Sequence, residues 1–225
     1  MKVVFLLIAL STISGFAKSN DYTDIRNRLS FSNSGGLFNG GVCWWHSRLQ
    51  RSAFYLTSFQ PQLPKPNKKE LKYILRKLRY MNRKVQIPGF KNFAEFSNFY
   101  QMEIQKLLNH WQIYDGFIYQ QWIRGLSGSA KDVSSNSYKM RMNKLYERFQ
   151  SQKFLPWVML QLPGIESHAY LIIGMIRTAR GYNLEVIDSN RPTQTVRIVD
   201  RYSQALYLGF ESDIHKIQKA LSREK

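Results

Sequence analysis

The only cysteine of this chain, Cys43, lies in the run GGVCWWH. His168 opens a long apolar run, HAYLIIG, and Asp188 ends another, YNLEVID. A thiol, an imidazole and a carboxylate are the groups that a nucleophilic cysteine site needs, because the imidazole takes up the thiol proton and the carboxylate orients the imidazole. These residues stand far apart in the chain, so only folding can bring them together. The sequence therefore predicts a Cys43-His168-Asp188 catalytic site.

The element that must position Cys43 is a helix that begins at this residue. Apolar residues recur at helical spacing from there to about residue 57, namely Trp45, Leu49, Ala53 and Leu56. The two glycines before Cys43 allow a sharp turn from loop into helix. The N-terminus of a helix favours a thiolate, and its backbone N–H groups can bind the oxyanion that forms when a thiolate attacks a carbonyl.

Two neighbouring strands are expected to position the other two groups. Alternation puts His168 and Tyr170 on one face of the first strand. Antiparallel pairing through a turn at residues 177–181 brings Asp188 near the level of His168, where the carboxylate accepts the second imidazole N–H. Asn190 is the alternative orienting residue, because an amide oxygen also accepts such a hydrogen bond.

The hydrophobic period changes along the chain and predicts the architecture. Helical spacing prevails up to about residue 149 and includes a basic amphipathic helix at about residues 68–84. Strand-like runs separated by turn residues then follow and predict an antiparallel meander. A closing helix is predicted at about residues 213–221. We therefore expect an α+β protein whose helical N-terminal half carries the cysteine helix and packs on a C-terminal antiparallel sheet.

The order of these groups resembles the papain-like cysteine peptidases. The segments HAYLIIG and YNLEVIDSN look like the histidine and aspartate blocks of bacterial papain-like peptidases, including the bacteriocin-processing type. The resemblance implies a papain-like fold and hydrolysis of peptide or amide bonds through a thioester, with no metal or organic cofactor. In that family a glutamine usually stands six residues before the cysteine and helps to form the oxyanion hole. Leu37 occupies that position here, and Asn39 is the amide donor available from the same loop.

The N-terminus has the pattern of a secretory signal peptide. Lys2 precedes an apolar run over residues 3–10, and Gly15 and Ala17 are the small residues of a cleavage site. We therefore expect a signal peptide at residues 1–17, a single domain over 18–225 and a secreted or periplasmic protein without a transmembrane span after signal removal. An N-terminal anchor that is retained is the alternative.

The net charge of +18 and the pI near 10.1 indicate anionic partners. For an exported protein we expect a protein or peptide substrate, and an anionic envelope polymer is the further candidate partner. Nucleic acid fits less well, because the chain contains no nucleic-acid recognition motif. The basic helix at about residues 68–84 is interpreted either as a solvated surface helix or as a docking face for an anionic surface.

Three alternatives remain open for the function. On the same fold the site could cleave peptides of peptidoglycan or transfer an acyl group, because a thioester reacts with water or with an amine. The leucine at position 37 is compatible with a non-catalytic binding protein in which Cys43 is inert. Cys43 and His46 could begin a zinc site with His110 or His215, but structural zinc sites normally hold more cysteines, so we expect no metal.

Overall fold

The computed structural model describes residues 21–36, 41–118, 134–151, 154–161, 167–200, 206–208 and 211–223. The helices are α1 (Cys43–Leu56), α2 (Lys68–Tyr80), α3 (Phe93–Phe99), α4 (Gln101–Ile113), α5 (Ser135–Ser151) and α6 (Glu211–Ser222). The strands are β1 (Thr57–Gln60), β2 (Val85–Pro88), β3 (Trp157–Gln161), β4 (Ser167–Thr178), β5 (Gly181–Asp188), β6 (Thr195–Asp200) and β7 (Leu206–Leu208). The predicted α+β class is confirmed, whereas the predicted signal peptide, Leu37 and Asn39 lie outside the described residues.

The C-terminal strands form one antiparallel sheet in the order β6-β5-β4-β3-β7. Strands β3 to β6 follow one another as the predicted meander, and β7 pairs with the outer edge of β3. Among the helices of the described ranges, none has both the length and the apolar character that a bilayer span requires.

A small parallel ladder of β1 and β2 was not predicted. Helix α2 ends at Tyr80, earlier than the amphipathic pattern indicated, because Met81 adopts a left-handed conformation with φ of 50°. The chain then turns back and lays β2 beside β1, the strand that directly follows α1. Both strands have only four residues, too few for a clear alternating pattern.

Helix α1 is buried on nearly every side. Its predicted apolar stripe is in the core, and several polar residues outside the stripe are buried as well. Ser47 Oγ donates to the carbonyl of Ala169 in β4 over 3.3 Å, and Gln50 Nε2 donates to the carbonyl of Asn27 over 3.1 Å. The polar side of α1 therefore fastens the sheet and the N-terminal segment to the helix that carries Cys43.

Both faces of the large sheet are covered. Leu171 and Ile187, which pair directly across β4 and β5, belong to a core that also contains the buried residues of α1 and α2. Ile172 and Val186, the next direct pair, belong to a smaller core with the buried residues of α5. The sheet is thus packed between the main helical layer and α5.

A buried carboxylate joins α1 to two other helical elements. Asp115, which is 5% exposed, lies in a π-helical turn (Tyr114–Ile118) that continues α4. Its Oδ2 accepts from Trp45 Nε1 over 2.9 Å, and its Oδ1 accepts from Arg79 Nη2 of α2 over 2.9 Å. Arg48 of α1 also lies 3.5 Å from this carboxylate. One side chain therefore fixes the cysteine helix to α2 and to the end of α4.

We expect Asp115→Ala to lower the free energy of unfolding by about 3 kcal/mol, because it deprives the largely buried Arg79 guanidinium of its carboxylate. Urea unfolding measures the change. Arg26→Ala removes the exposed ion pair with Asp24 and is the control, in which we expect an unchanged midpoint. Equal midpoints for the wild type and Asp115→Ala would contradict the role given to this carboxylate.

Candidate active site

Cys43 is the first residue of α1 and is partly exposed. Gly41 enters the helix with φ of +81°, a conformation that glycine adopts without strain. Val42 is the N-cap, and its carbonyl accepts the first helical hydrogen bond from His46 N–H over 2.9 Å. The thiol therefore lies at the positive end of the helix dipole, as the sequence predicts.

The imidazole of His168 lies between the other two predicted groups. Its Nε2–H donates to Asp188 Oδ1 over 2.6 Å, and a second hydrogen bond joins the ring to the sulfur of Cys43. The backbone N–H of Asn190 donates to the same Oδ1 of Asp188 over 2.8 Å. The structure thus brings together Cys43, His168 and Asp188 in the order thiol, imidazole, carboxylate.

The electrostatics of this trio favour a charged imidazole. Burial alone would lower the pKa of His168, but its hydrogen bonds to Asp188 and Cys43 and the negative charges of both raise it to about 9. Burial alone would raise the pKa of Asp188, but His168, the Asn190 N–H and Arg191 hold it below its usual range. The site is therefore suited to an imidazolium beside a carboxylate at neutral pH.

A β-bulge interrupts the pairing of β4 with β5. On the side of the turn Gly174 pairs with Glu185, and on the other side Ile172 pairs with Val186. Ile173 is therefore one extra residue in β4. The two faces of β4 exchange at this point, because Ile173 packs against the larger core while Met175, two residues further on, belongs to the smaller one.

The bulge brings the imidazole and the carboxylate onto one face of the sheet. With the extra residue, Asp188 pairs with Tyr170. In an uninterrupted ladder it would instead pair with Leu171, whose side chain lies on the opposite face. Since a slip of one residue moves a side chain across the sheet, the bulge places Asp188 on the same face as Tyr170 and His168.

Tyr170 is a further neighbour of the imidazole. Its ring meets the His168 ring edge to face, with centroids 4.7 Å apart and an interplanar angle of 84°. Burial and the nearby charges of Asp188 and Cys43 raise the pKa of Tyr170 to about 12. The phenol therefore stays protonated at neutral pH. The position of Tyr170 two residues after His168 in a predicted strand was the sequence signal for this contact.

Asn190 does not take the alternative role of orienting His168. The chain turns after β5, where Arg191 N–H donates to the carbonyl of Asp188 over 3.0 Å. This turn directs the Asn190 side chain away from the imidazole, and its Oδ1 accepts from Asn33 Nδ2 over 3.0 Å. Asn190 contributes to the site through its backbone N–H.

His46 is committed to a structural contact. Its Nε2–H donates to the carbonyl of Phe31 over 2.9 Å. Burial lowers its pKa to about 4, although the Phe31 carbonyl and Asp188 oppose this shift, so the ring is neutral at pH 7. Within the described ranges no three His, Cys, Asp or Glu side chains converge as metal ligands, and His110 and His215 are exposed.

The two tryptophans after Cys43 have different surroundings. Trp45 is 5% exposed and donates to Asp115, so it belongs to the core. Trp44 is partly exposed, and its ring lies against Trp157 in a tilted arrangement, with centroids 3.6 Å apart and an interplanar angle of 36°. Of the pair, Trp44 is therefore the one with surface available next to the thiol.

No protein-family model matches the chain, and no curated protein or solved structure is significantly similar to it. A function for this chain is therefore inferred from the chemistry of its own residues.

We expect the stability of the protein to fall more steeply in alkali than that of a His168→Gln variant. The raised pKa of His168 means that its stabilising contribution is complete below about pH 6.5 and is lost as the pH rises through about 9. Urea unfolding at about pH 6 and pH 10 measures the loss, and we expect an excess of about 2 kcal/mol in the wild type. Equal losses in the two proteins would contradict a charged, paired His168.

Proposed function

We propose that this protein is a cysteine peptidase, or a closely related amide hydrolase, with a papain-like α+β fold. The observation that carries the proposal is the pair of contacts made by His168, to Asp188 Oδ1 and to the Cys43 sulfur. A thiol at a helix N-terminus, hydrogen-bonded to an imidazole that a carboxylate orients, is the arrangement of an activated sulfur nucleophile. The partial exposure of Cys43 leaves it accessible to a substrate.

In the proposed reaction the Cys43 thiolate attacks the carbonyl carbon of a peptide or amide bond. The tetrahedral intermediate collapses to a thioester, and the leaving amine takes a proton from the His168 imidazolium. The neutral imidazole then removes a proton from water, whose oxygen attacks the thioester and releases the carboxylic acid. Asp188 stays ionised throughout and holds the tautomer and orientation of His168.

The oxyanion of the intermediate needs hydrogen-bond donors. The backbone N–H of Cys43 is the donor that we propose from the start of α1, where the helix dipole also favours negative charge. Asn39 is the side-chain donor proposed to replace the glutamine whose usual position Leu37 occupies. No metal or organic cofactor takes part in this scheme.

We expect Cys43→Ala to abolish hydrolysis of peptide substrates and His168→Ala to lower kcat/KM by about a thousandfold, because each removes a group that acts in both half-reactions. A quenched-fluorescence peptide library measures turnover. Iodoacetamide labelling of Cys43 across pH is the parallel measurement, and His168→Ala should move the onset of fast labelling to higher pH. His110→Ala, which changes an exposed histidine on α4, is the matched control.

Two outcomes would contradict the proposal. Hydrolysis that persists in Cys43→Ala would remove the cysteine from the mechanism. Slow labelling of the wild type that is indifferent to His168→Ala would mean an inert thiol and would favour the binding-protein alternative.

The surface of α2 favours a second candidate, cleavage of peptides in an anionic envelope polymer such as peptidoglycan by a secreted or periplasmic enzyme. The exposed residues of α2 include Lys68, Lys69, Lys72 and Arg76. Its one carboxylate, Glu70, accepts from Asn67 N–H in the capping box of the helix. A face with this excess of positive charge is complementary to a polyanion.

We expect Lys72→Glu/Arg76→Glu to weaken co-sedimentation with purified peptidoglycan sacculi several-fold at low salt, because the change reverses two exposed charges on α2. Arg141→Glu/Lys144→Glu on α5 makes the same change of net charge elsewhere on the surface and is the control. Equal weakening in both variants would show that binding follows net charge alone and would count against a docking role for α2.

A further inference from the structure

One amide side chain connects the loop that precedes the proposed nucleophile to the turn that follows its carboxylate. Asn33 Oδ1 accepts from the backbone N–H of Val42 over 2.5 Å, and Asn33 Nδ2 donates to Asn190 Oδ1 over 3.0 Å. The backbone N–H of Asn33 also donates to the carbonyl of Ser189 over 2.7 Å. These three hydrogen bonds reach both sides of the site from a single residue.

Each end of this connection lies within two residues of a proposed catalytic residue in the sequence. Val42 directly precedes Cys43 and is the N-cap of α1. Ser189 and Asn190 directly follow Asp188, and Asn190 N–H donates to the carboxylate oxygen that also binds the imidazole. A displacement of either loop therefore changes the distance between the thiol and the carboxylate.

The segment that contains Asn33 is itself held by amide side chains of α4. Gln105 Nε2 donates to the carbonyl of Ser34 over 2.7 Å, and Asn109 Oδ1 accepts from Gly36 N–H over 3.2 Å. Gln112 Nε2 donates to the carbonyl of Gly41 over 2.8 Å. The segment around the bridging residue is thus attached to a helix that takes no part in the proposed chemistry.

The contact between Asn33 and the helix entry is close. A Cβ atom on Gly41 would lie 2.5 Å from Asn33 Nδ2, so only glycine allows this approach. The left-handed φ of Gly41 also favours glycine at this position. The glycine before the cysteine helix therefore accommodates Asn33 as well as the turn.

We propose that Asn33 is a positioning residue that sets the separation of the Cys43 and Asp188 loops and so keeps Asp188 against His168. The inference rests on the proposed function for its catalytic meaning, but the geometry that it explains is independent of turnover. Without the amide, the turn at residues 189–190 keeps its backbone hydrogen bond from Asn33 to Ser189 but loses its side-chain link to the start of α1. The Asn190 N–H is then less firmly fixed against Asp188, and the carboxylate holds the imidazole less firmly.

The test is an NMR titration of the His168 ring in the wild type, Asn33→Ala, Asn190→Ala and the double variant. We expect the proton affinity of His168 to fall about tenfold in Asn33→Ala. Asn190→Ala, a change at an exposed position, should lower it in the same direction, and the double variant should add little to Asn33→Ala because both act through one contact. Asn109→Ala cuts a hydrogen bond to the same segment on its α4 side and is the control.

Two results would overturn the proposal. One is a His168 proton affinity in Asn33→Ala that equals that of the wild type. The other is a change in proton affinity that is the same in Asn33→Ala and in the control Asn109→Ala. If Asn33→Ala does not fold, the comparison of Asn190→Ala with Asn109→Ala decides in the same way. The titration does not need hydrolysis. A wild type without peptidase activity would therefore count against the proposed function, whereas the role of Asn33 is decided by the titration alone.

Discussion

The contacts of His168 are the constraint on which this structure depends, because the two partners of its ring come from different parts of the fold. The thiol is supplied by the first residue of α1, and the carboxylate by the end of β5. Hydrogen bonds of 2.6 to 3.3 Å do not tolerate sliding between these elements. The buried hydrogen bonds of α1, from Ser47 to β4 and from Trp45 to Asp115, therefore have a positioning role in addition to the packing of the helix.

The second constraint is on the number of residues in β4 and β5, because this number decides which face of the sheet a side chain occupies. His168 and Asp188 must project from the same face of a sheet, and the short turn after β4 fixes the register in which β5 begins. Continued without a bulge, that register would pair Asp188 with Leu171 and leave the carboxylate and His168 on opposite faces. The extra residue at Ile173 shifts the pairing by one, so that Asp188 pairs with Tyr170. A single inserted residue thus converts an ordinary hairpin into one that presents an imidazole and a carboxylate to each other.

Strong periodicities explain what could be predicted from the sequence. The start of α1, the meander of β3 to β6 and the choice of Cys43, His168 and Asp188 follow from residue types and spacing that act locally. The bulge could not be predicted, because its signal is only a mismatch of one residue between two strands whose ends are uncertain by more than that. Asn33 could not be identified either, since its partners Val42 and Asn190 become neighbours only in the folded chain.

Two buried histidines of this protein show how partners rather than burial decide a charge. His168 is close enough to His46 for its charge to oppose protonation of His46, and both rings are largely withdrawn from solvent. His46 binds a backbone carbonyl, which cannot compensate for the loss of hydration, so its ring is neutral at pH 7. His168 binds a carboxylate and a sulfur atom, and these hold the proton that burial would remove. The neutral state of His46 spares the site a second positive charge beside His168, the imidazole that moves protons in the proposed reaction.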